Sequence, residues 1–195
     1  MYKPIQILQL NMQKRREVQH SVMNNSSLKE HAALIVSEPY VVEIDRKVRT
    51  SPIGHQNWTA ILPSQRHEGR WAVRSMLWIR KDIKCEQVNV PLADLTVVLL
   101  RLPDRSVLLA SVYVEGANAT ALSETVLLLD TAISTAQRCG GPRLDIVVAG
   151  DFNCHNQLWG GDGVSPTRQG EADLIIDFMN RWKLESLLPC GTKTW

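Results

Sequence analysis

One stretch of the chain, residues 144–161 (LDIVVAGDFNCHNQLWGG), constrains the fold more than any other. Its apolar run at 146–149 predicts a short buried strand that Gly150 ends. A strand that carries carboxylate and amide groups to a sheet edge is a common way to build a metal or phosphate site. Such groups crowd the positions directly after the run: Asp151, Asn153, His155 and Asn156.

Length and composition limit the classes of protein to consider. With 195 residues, 44% hydrophobic and 22% charged, the chain is long enough for one globular domain with a substantial core. No apolar run is long enough to span a bilayer, and Lys3 and Pro4 lead directly into a strand-like segment. We therefore expect neither a membrane span nor a signal peptide. The four cysteines form no CxxC pair, which favours a reducing, intracellular setting.

The small net charge of +2 is unevenly distributed. Residues 1–84 contain 14 Lys and Arg against 7 Asp and Glu, whereas residues 85–195 contain 8 against 13. This asymmetry gives weak support to a basic part that meets a polyanion and an acidic part that holds a cation. Any single basic cluster, such as residues 14–16, is more simply explained as a solvated surface.

Two further predicted strands end in polar side chains. Residues 5–10 form an apolar segment that ends at Asn11, and residues 32–37 form one that ends at Glu38. Because side chains at strand ends converge even when they are far apart in sequence, we expect these groups to meet near Asp151. Asn11 is almost equally well explained as a turn cap, and Glu38 alone as a surface carboxylate.

A β-hairpin adds a fourth candidate. Residues 96–102 and 107–114 are apolar and are joined by residues 103–105 (PDR), which is typical of two antiparallel strands and their turn. Tyr113 lies near the end of the second strand, where its hydroxyl either joins the site or is satisfied within half-buried packing.

The remaining pattern predicts one α/β (α+β) domain with mixed sheets and no repeat or linker. Asn118 or Thr120 is a suitable cap for the second of three predicted helices. Helical spacing of apolar residues predicts helices over 16–29, 120–136 and 171–182, with 140–142 (GGP) ending the second. Further strands are predicted over 58–62 and 71–79, and loops over 43–57 and 160–167.

The candidate residues favour one kind of chemistry. Two carboxylates with amide oxygens form a hard-oxygen site suited to Mg²⁺. A bound Mg²⁺ neutralises phosphate charge and activates water, so the pattern indicates phosphoester hydrolysis. Asp151 and Asn153 are also residue types that occur as turn or helix caps. An EF-hand is excluded because Asn156 stands where a glycine is required, and Cys154-His155 lacks the spaced partners of a zinc site.

Four motifs together resemble a known family. In order and spacing, QLNMQK (9–14), SEPY (37–40), SVYV (111–114) and GDFNCHNQLWG (150–160) are similar to the endonuclease/exonuclease/phosphatase superfamily. The likeness is greatest to the apurinic-type endonuclease domain of non-LTR retrotransposons and extends from residue 5 to 195. It implies two packed mixed β-sheets flanked by helices in a four-layer sandwich. It also implies Mg²⁺-dependent nicking of DNA, with Mn²⁺ as an alternative metal.

The resemblance also implies roles for individual residues. By match to the motifs, Glu38 would be the metal ligand and Asn11 would help to orient the metal and the phosphate. Tyr113 would contact the scissile phosphate. Asp151 would position or activate the attacking water, and Asn153 would stabilise the transition state. His155 occupies a position where retrotransposon relatives also carry histidine, and with Asn156 it is a substrate-binding candidate.

The sequence departs from the family pattern at its C-terminal end. The family continues with a Ser-x-Ile-Asp motif and a Ser-Asp-His motif that supplies the catalytic histidine, and this sequence stops before them. None of the histidines outside 150–160 lies in such a context. We therefore expect a domain that is incomplete at its C-terminus, with an open sheet edge. It is either a fragment of a longer polyprotein or a degenerate copy.

Three functional hypotheses follow. The first is a DNA-nicking endonuclease domain, intracellular and by resemblance nuclear, with DNA as partner and neither membrane nor small-molecule cofactor. The second is an inactive remnant that at most binds metal or nucleic acid. The third, a phosphatase of the same superfamily, is disfavoured by the retrotransposon-like motif at 150–160. The sequence indicates neither the oligomeric state nor the target site.

Overall fold

The computed structural model describes residues 4–69, 71–116, 118–139, 143–168 and 170–192. The chain divides into two compact units, each described by itself. The first comprises Met1–Tyr113 and Thr131–Asp151, and the second comprises Val114–Asp130 and Phe152–Trp195. Among the described helices, none is both long and apolar enough to cross a membrane.

The ten described strands all lie in the first unit. In chain order they are β1 Ile7–Asn11, β2 Ala33–Ser37, β3 Val41–Ile44, β4 Lys47–Thr50, β5 Trp58–Ile61, β6 Ser75–Arg80, β7 Lys84–Val88, β8 Leu95–Arg101, β9 Ser106–Tyr113 and β10 Leu144–Asp151. One sheet has the order β1-β2-β6-β5, a second has the order β10-β9-β8-β7, and β3 and β4 form a separate hairpin.

Both four-stranded sheets are mixed, as the sequence predicted. The parallel pairs are β1 with β2 and β9 with β10, and the other neighbours are antiparallel. Alternate residues of the two sheets share one core between them, which is the period-two pattern of a sheet face. Its buried members are Ala33, Ile35, Leu77, Ile79, Val98, Leu100, Val107 and Leu109.

The opposite face of the first sheet is also buried. Leu34, Val36, Met76 and Trp78 point to this side and pack with Met23 of helix α1, which spans Arg16–Met23. A strand that is covered on both faces is expected to be continuously apolar, and all five residues of β2 are buried. This burial explains why the sequence of β2 shows no polar alternation.

The helices agree with the predictions with one correction. The helix predicted over 16–29 ends at Met23, because the Asn25 side chain accepts a hydrogen bond from the Ser27 backbone N–H and starts a 3₁₀ turn at Ser26–Glu30. Helix α2 spans Ala119–Cys139 and is capped by Asn118, which accepts from the Ala121 N–H at 3.0 Å. The stop predicted at 140–142 lies outside the described residues.

The second unit is mainly helical. Its elements after Asp151 are the short helix α3 (Gln157–Gly160), 3₁₀ turns at Gly161–Gly163 and Pro166–Arg168, and α4 (Asp173–Trp182). Asp130 of α2 accepts hydrogen bonds from Arg181 and, at 2.5 Å, from the Trp182 Nε1 of α4. This carboxylate therefore ties the last helix to α2.

The structure differs from the predicted strands in four details. The β3–β4 hairpin begins at Val41 and extends into the loop predicted over 43–57. Strand β7 was missed because its sequence, KCEQV, is mostly polar, as an edge strand tolerates. The strand predicted from residue 71 begins at Ser75. Gly150 does not end β10, which continues to Asp151.

The strand β10 is also less buried than its apolar sequence predicts. All eight of its residues are half-buried. Among the described strands, only β9 pairs with β10, so β10 lies at the end of its sheet. One side of its backbone therefore has no neighbouring strand within the part of the chain that the structure describes.

Candidate functional site

The candidate residues of the first unit lie at the ends of adjacent strands. Asn11 is the last residue of β1 and is paired with Ser37 of β2, which directly precedes Glu38. Tyr113 and Asp151 are the last residues of β9 and β10 and are paired with each other. Parallel pairing thus places each pair of candidates at the same edge, as predicted from their positions after apolar runs.

A hydrogen bond between the sheets brings the two pairs together. The buried Ser111 hydroxyl of β9 donates to the Val36 carbonyl of β2 at 3.3 Å. Each of these residues lies two positions before a candidate, Tyr113 and Glu38 respectively. The ends of β2 and β9 are therefore held at one edge of the sheet pair.

Burial and two nearby carboxylates affect the ionisation of Tyr113. Partial burial raises the pKa of Tyr113 above its usual value, and the negative charges of Glu38 and Asp151 raise it further. The positive charge of Arg74 and its hydrogen bond act in the opposite direction. A tyrosine with its ordinary pKa is already protonated at neutral pH, and the upward shift keeps it so, which leaves the Tyr113 hydroxyl able to donate a hydrogen bond.

Glu38 is held in an unusual backbone conformation. Its φ is +47°, in the left-handed region that non-glycine residues seldom adopt. Its N–H donates to the Arg74 carbonyl at 2.8 Å, and its own carbonyl accepts from the Lys14 N–H at 2.8 Å. Strained residues of this kind are kept where the surroundings enforce them, which is frequent at functional sites. The left-handed conformation of Glu38 turns the chain where it leaves β2.

Lys14 forms an ion pair with the carboxylate of Glu38. Its Nζ lies 3.1 Å from Glu38 Oε1 and 5.1 Å from the centroid of the Trp71 ring. Both side chains of the ion pair are mostly shielded, with 27% and 20% of their surface exposed. The candidate metal ligand thus already has a cationic neighbour.

Asn11 caps a turn. Its Oδ1 accepts a hydrogen bond from the Gln13 N–H at 2.7 Å, and both Gln13 and Lys14 have positive φ angles. The structure places Asn11 beside Ser37 at the site edge, and its amide oxygen takes part in the turn that carries Lys14. Its predicted role in orienting a metal stays a prediction.

Gly150 is required by a close approach of two strands. A Cβ atom there would lie 1.9 Å from the Val112 carbonyl oxygen, and its φ is +147°. Only glycine fits this contact. It lets β10 remain paired with β9 up to Asp151, so the glycine of the motif positions the aspartate that follows.

In the second unit, Asn153 is fixed by its backbone and its side chain. Its φ is +48°, and its Nδ2 donates to the Val114 carbonyl at 2.8 Å. Asn153 lies two residues after Asp151 in sequence, but the two residues belong to different units. Its predicted role in the transition state stays a prediction.

His155 and Asn156 make local contacts within the second unit. His155 Nδ1 lies 3.2 Å from Glu171 Oε2, and the Arg168 Nη1 lies 2.8–2.9 Å from the two ring nitrogens. Asn156 is the N-cap of α3, with its side chain accepting from the Leu158 N–H at 2.9 Å. The structure does not test their predicted contacts with substrate.

Sequence reasoning missed a charged pair at the site edge. The Arg74 guanidinium carbon lies 5.0 Å from the centroid of the Tyr113 ring, and Arg74 forms an ion pair with Asp94. A signal was present in the sequence, because Arg74 interrupts the run WAVRSMLWI and Asp94 interrupts PLADLTVVLL. A charge within a run that is otherwise buried is unusual unless it is paired.

The donor set at this edge fits a hard divalent cation. Among the described residues, no three His, Cys, Asp or Glu side chains gather to form a metal cage. Mg²⁺ does not require one, since it is usually bound by one or two carboxylates and keeps several waters. Glu38 and Asp151, both acting on Tyr113, supply carboxylates of that number.

Part of the chain matches a known family. Residues 107–195, which include Tyr113 and Asp151, match a family described as endonuclease-reverse transcriptase. No curated protein matches the chain.

Several solved structures are similar. The endonuclease domain of TRAS1, a telomere-specific non-LTR retrotransposon, has a TM-score of 0.73 at 18% identity, covering 98% of this chain and 77% of that one. An AP endonuclease, LMAP, from Leishmania major has a TM-score of 0.61 at 12% identity, covering 91% and 66%. TDP2 from Caenorhabditis elegans has a TM-score of 0.55 at 12% identity, covering 77% and 48%. At these identities the similarity concerns the fold.

Proposed function

We propose that this chain, which has the fold of the endonuclease/exonuclease/phosphatase superfamily, is a retrotransposon endonuclease domain with a site for nicking DNA. The observation that supports this most is the meeting of Glu38, Tyr113 and Asp151 at one edge of two packed sheets. Two carboxylates around a protonated phenol suit hydrolysis of a phosphodiester, whose transition state gains negative charge.

Each of the three residues would have a separate task. The Asp151 carboxylate would orient the attacking water and accept its proton, and the protonated Tyr113 hydroxyl would donate a hydrogen bond to a phosphate oxygen. Glu38 would hold the divalent cation, with Asn11 beside it. When bound, Mg²⁺, or Mn²⁺ in its place, would neutralise phosphate charge and lower the pKa of water. Asn153 would stabilise the transition state, and His155 and Asn156 would contribute contacts to DNA.

Nicking of supercoiled plasmid by the purified chain tests this proposal. We expect nicking with Mg²⁺, none with EDTA, and a loss of at least about 10²-fold in Asp151→Asn, because a positioned base contributes that much. Asp177→Asn, an exposed aspartate on α4, is the matched control and should retain full activity. A folded parent chain that does not nick, or an Asp151→Asn variant that nicks normally, would contradict the proposal.

One observation favours the alternative of an inactive remnant that at most binds metal or nucleic acid. The Glu38 carboxylate already has Lys14 as a cationic partner at 3.1 Å. If Lys14 remains there, a divalent cation has to compete for the carboxylate. Calorimetric titration of the chain with Mg²⁺ separates the two hypotheses, since binding without nicking would identify the remnant.

A further inference from the structure

Arg74 and Asp94 form a forked ion pair at the site edge. The Arg74 Nε donates to Asp94 Oδ1 at 3.0 Å, and its Nη2 lies 2.9 Å from Asp94 Oδ2. The two side chains are 16% and 12% exposed. Two parallel bonds to one carboxylate fix the plane of a guanidinium group, which a single contact would leave free to rotate. His67 supports the pair, with its Nε2 2.8 Å from Asp94 Oδ1.

The backbones of the same two residues hold the candidate site. The Arg74 carbonyl accepts the N–H of Glu38 at 2.8 Å, and the Asp94 carbonyl accepts the N–H of Tyr113 at 2.9 Å. Arg74 directly precedes β6, the neighbour of β2, and Asp94 directly precedes β8, the neighbour of β9. The ion pair therefore connects the two sheets at the point where each presents a site residue.

The guanidinium group also faces the ring of Tyr113. Its Cζ lies 5.0 Å from the ring centroid, within the range of a cation–π contact. Arg74 is the group whose positive charge opposes the carboxylates of Glu38 and Asp151 around the phenol. The side chain of Arg74 thus contacts the Tyr113 ring, while its backbone carbonyl holds Glu38, the candidate metal ligand.

We propose that Arg74, locked by Asp94, is a positioning residue of the nicking site, which orients the Tyr113 ring and fixes its spacing from Glu38. The expected effect of Arg74 on the nicking rate rests on the proposed function. Its effect on the position of the Tyr113 ring can be measured even in a chain that does not nick. Arg74 acts through Tyr113 and Glu38, so its loss changes the rate of the chemical step more than the affinity for DNA.

The kinetic test compares Arg74→Lys and Arg74→Ala with the parent chain in plasmid nicking. Lysine keeps the charge and cannot form the fork, so we expect kcat to fall on the order of 10²-fold in both variants, as for a misplaced catalytic group, with KM nearly unchanged. Added guanidinium ion should restore part of the activity of Arg74→Ala and none of that of Arg74→Lys. Arg80→Lys is the matched control, because Arg80 lies on β6 and pairs with Asp82.

A spectroscopic test is independent of nicking. The chain has three tyrosines, so fluorotyrosine labelling gives three ¹⁹F resonances, and Tyr113→Phe assigns the one from Tyr113. We expect Arg74→Lys and Asp94→Asn to move the Tyr113 resonance and leave that of Tyr40 in place, while Arg80→Lys moves neither.

The outcomes separate this proposal from the proposed function. A parent chain that does not nick contradicts the function, whereas a shifted Tyr113 resonance in Arg74→Lys still supports the positioning role. An unmoved Tyr113 resonance overturns the positioning role whether or not the chain nicks. So does an Arg74→Lys variant with the kcat of the parent.

Discussion

The candidate residues of the two units are held in different ways. In the first unit, Tyr113 ends β9 and Glu38 directly follows β2. The backbone N–H groups of both residues donate to neighbouring segments, and the strands behind them are packed in a buried core. In the second unit, His155 and Asn156 lie in a loop and are satisfied by nearby side chains or by capping a four-residue helix. Groups for chemistry are best placed on rigid elements, whereas contacts that vary between targets suit loops. We infer that the strand ends at Glu38 and Tyr113, called the chemical edge below, are rigid. The loop that carries His155 and Asn156, called the contact loop below, adapts more easily.

The largest expected effect tests the rigidity of the first unit. Gly150→Ala would place a Cβ atom 1.9 Å from the Val112 carbonyl oxygen in a left-handed conformation. We expect the free energy of unfolding to fall by about 3 kcal/mol or more, because overpacking and backbone strain add. Urea denaturation measures this loss. Gly54→Ala, where a Cβ meets nothing within 4 Å, should change stability little. Equal stabilities of the two variants would show that the edge is not rigid.

A smaller effect concerns the proposed binding of Mg²⁺ at the chemical edge. Glu38→Gln should weaken Mg²⁺ binding by about tenfold, since one of the two carboxylates is lost. Lys14→Gln should strengthen it by up to about fivefold, because a partly exposed ion pair contributes at most about 1 kcal/mol and its cation competes for Glu38. Calorimetry measures both affinities. The exposed Glu43 provides the control Glu43→Gln, and an affinity unchanged in Glu38→Gln would remove Glu38 from the site.

The contact loop should respond to loss of its cap by a modest amount. Asn156→Ala removes the side chain that accepts the Leu158 N–H and should cost about 1 kcal/mol of local stability. Asn156→Asp, which can also cap a helix, should restore it. Hydrogen exchange of the amides of α3 reports this stability. A large global loss in Asn156→Ala would mean that this loop is as rigid as the strand ends.

The smallest effect is a dependence of stability on alkaline pH. The pKa of Tyr113 is raised in the folded chain, chiefly by burial, above its ordinary value of 10.0. Its contribution is fully present below the unfolded pKa and is lost as the pH rises through the folded pKa, since the unfolded state releases its proton first. Raising the pH above about 10 should therefore lower the free energy of unfolding of Tyr113→Phe less than that of the parent. Urea denaturation at several alkaline pH values compares them, and identical profiles would contradict this.

The strand ends could be predicted from the sequence because buried strands are apolar runs, whereas the candidate functional residues that follow them are polar. An apolar run followed by Asn11, by Glu38 or by Asp151 indicates both a strand and the place where it stops being buried. The pairing of Tyr113 with Asp151 agrees with that expectation. Helix α2 was predictable for the same reason, since its apolar face has a regular period and Asn118 caps it.

The rest depended on tertiary contacts that have no local pattern. The polar edge strand β7 is held by its pairing with β8, and no apolar alternation marks it. The ion pair of Arg74 with Asp94 joins residues twenty positions apart, so neither predicts the other. The partial exposure of β10 follows from its place in the sheet order, which an apolar run of four residues does not reveal.

The close contact at Gly150 affects how the GDFN signature should be interpreted in other copies of such an element. Because the glycine is required for strand packing, a copy that has lost nicking but still folds remains under pressure to keep it. The aspartate that follows is under no such pressure once activity is gone. Under the proposed function, a copy changed at Asp151 alone is expected to fold without nicking, whereas a copy changed at Gly150 is expected to lose stability as well.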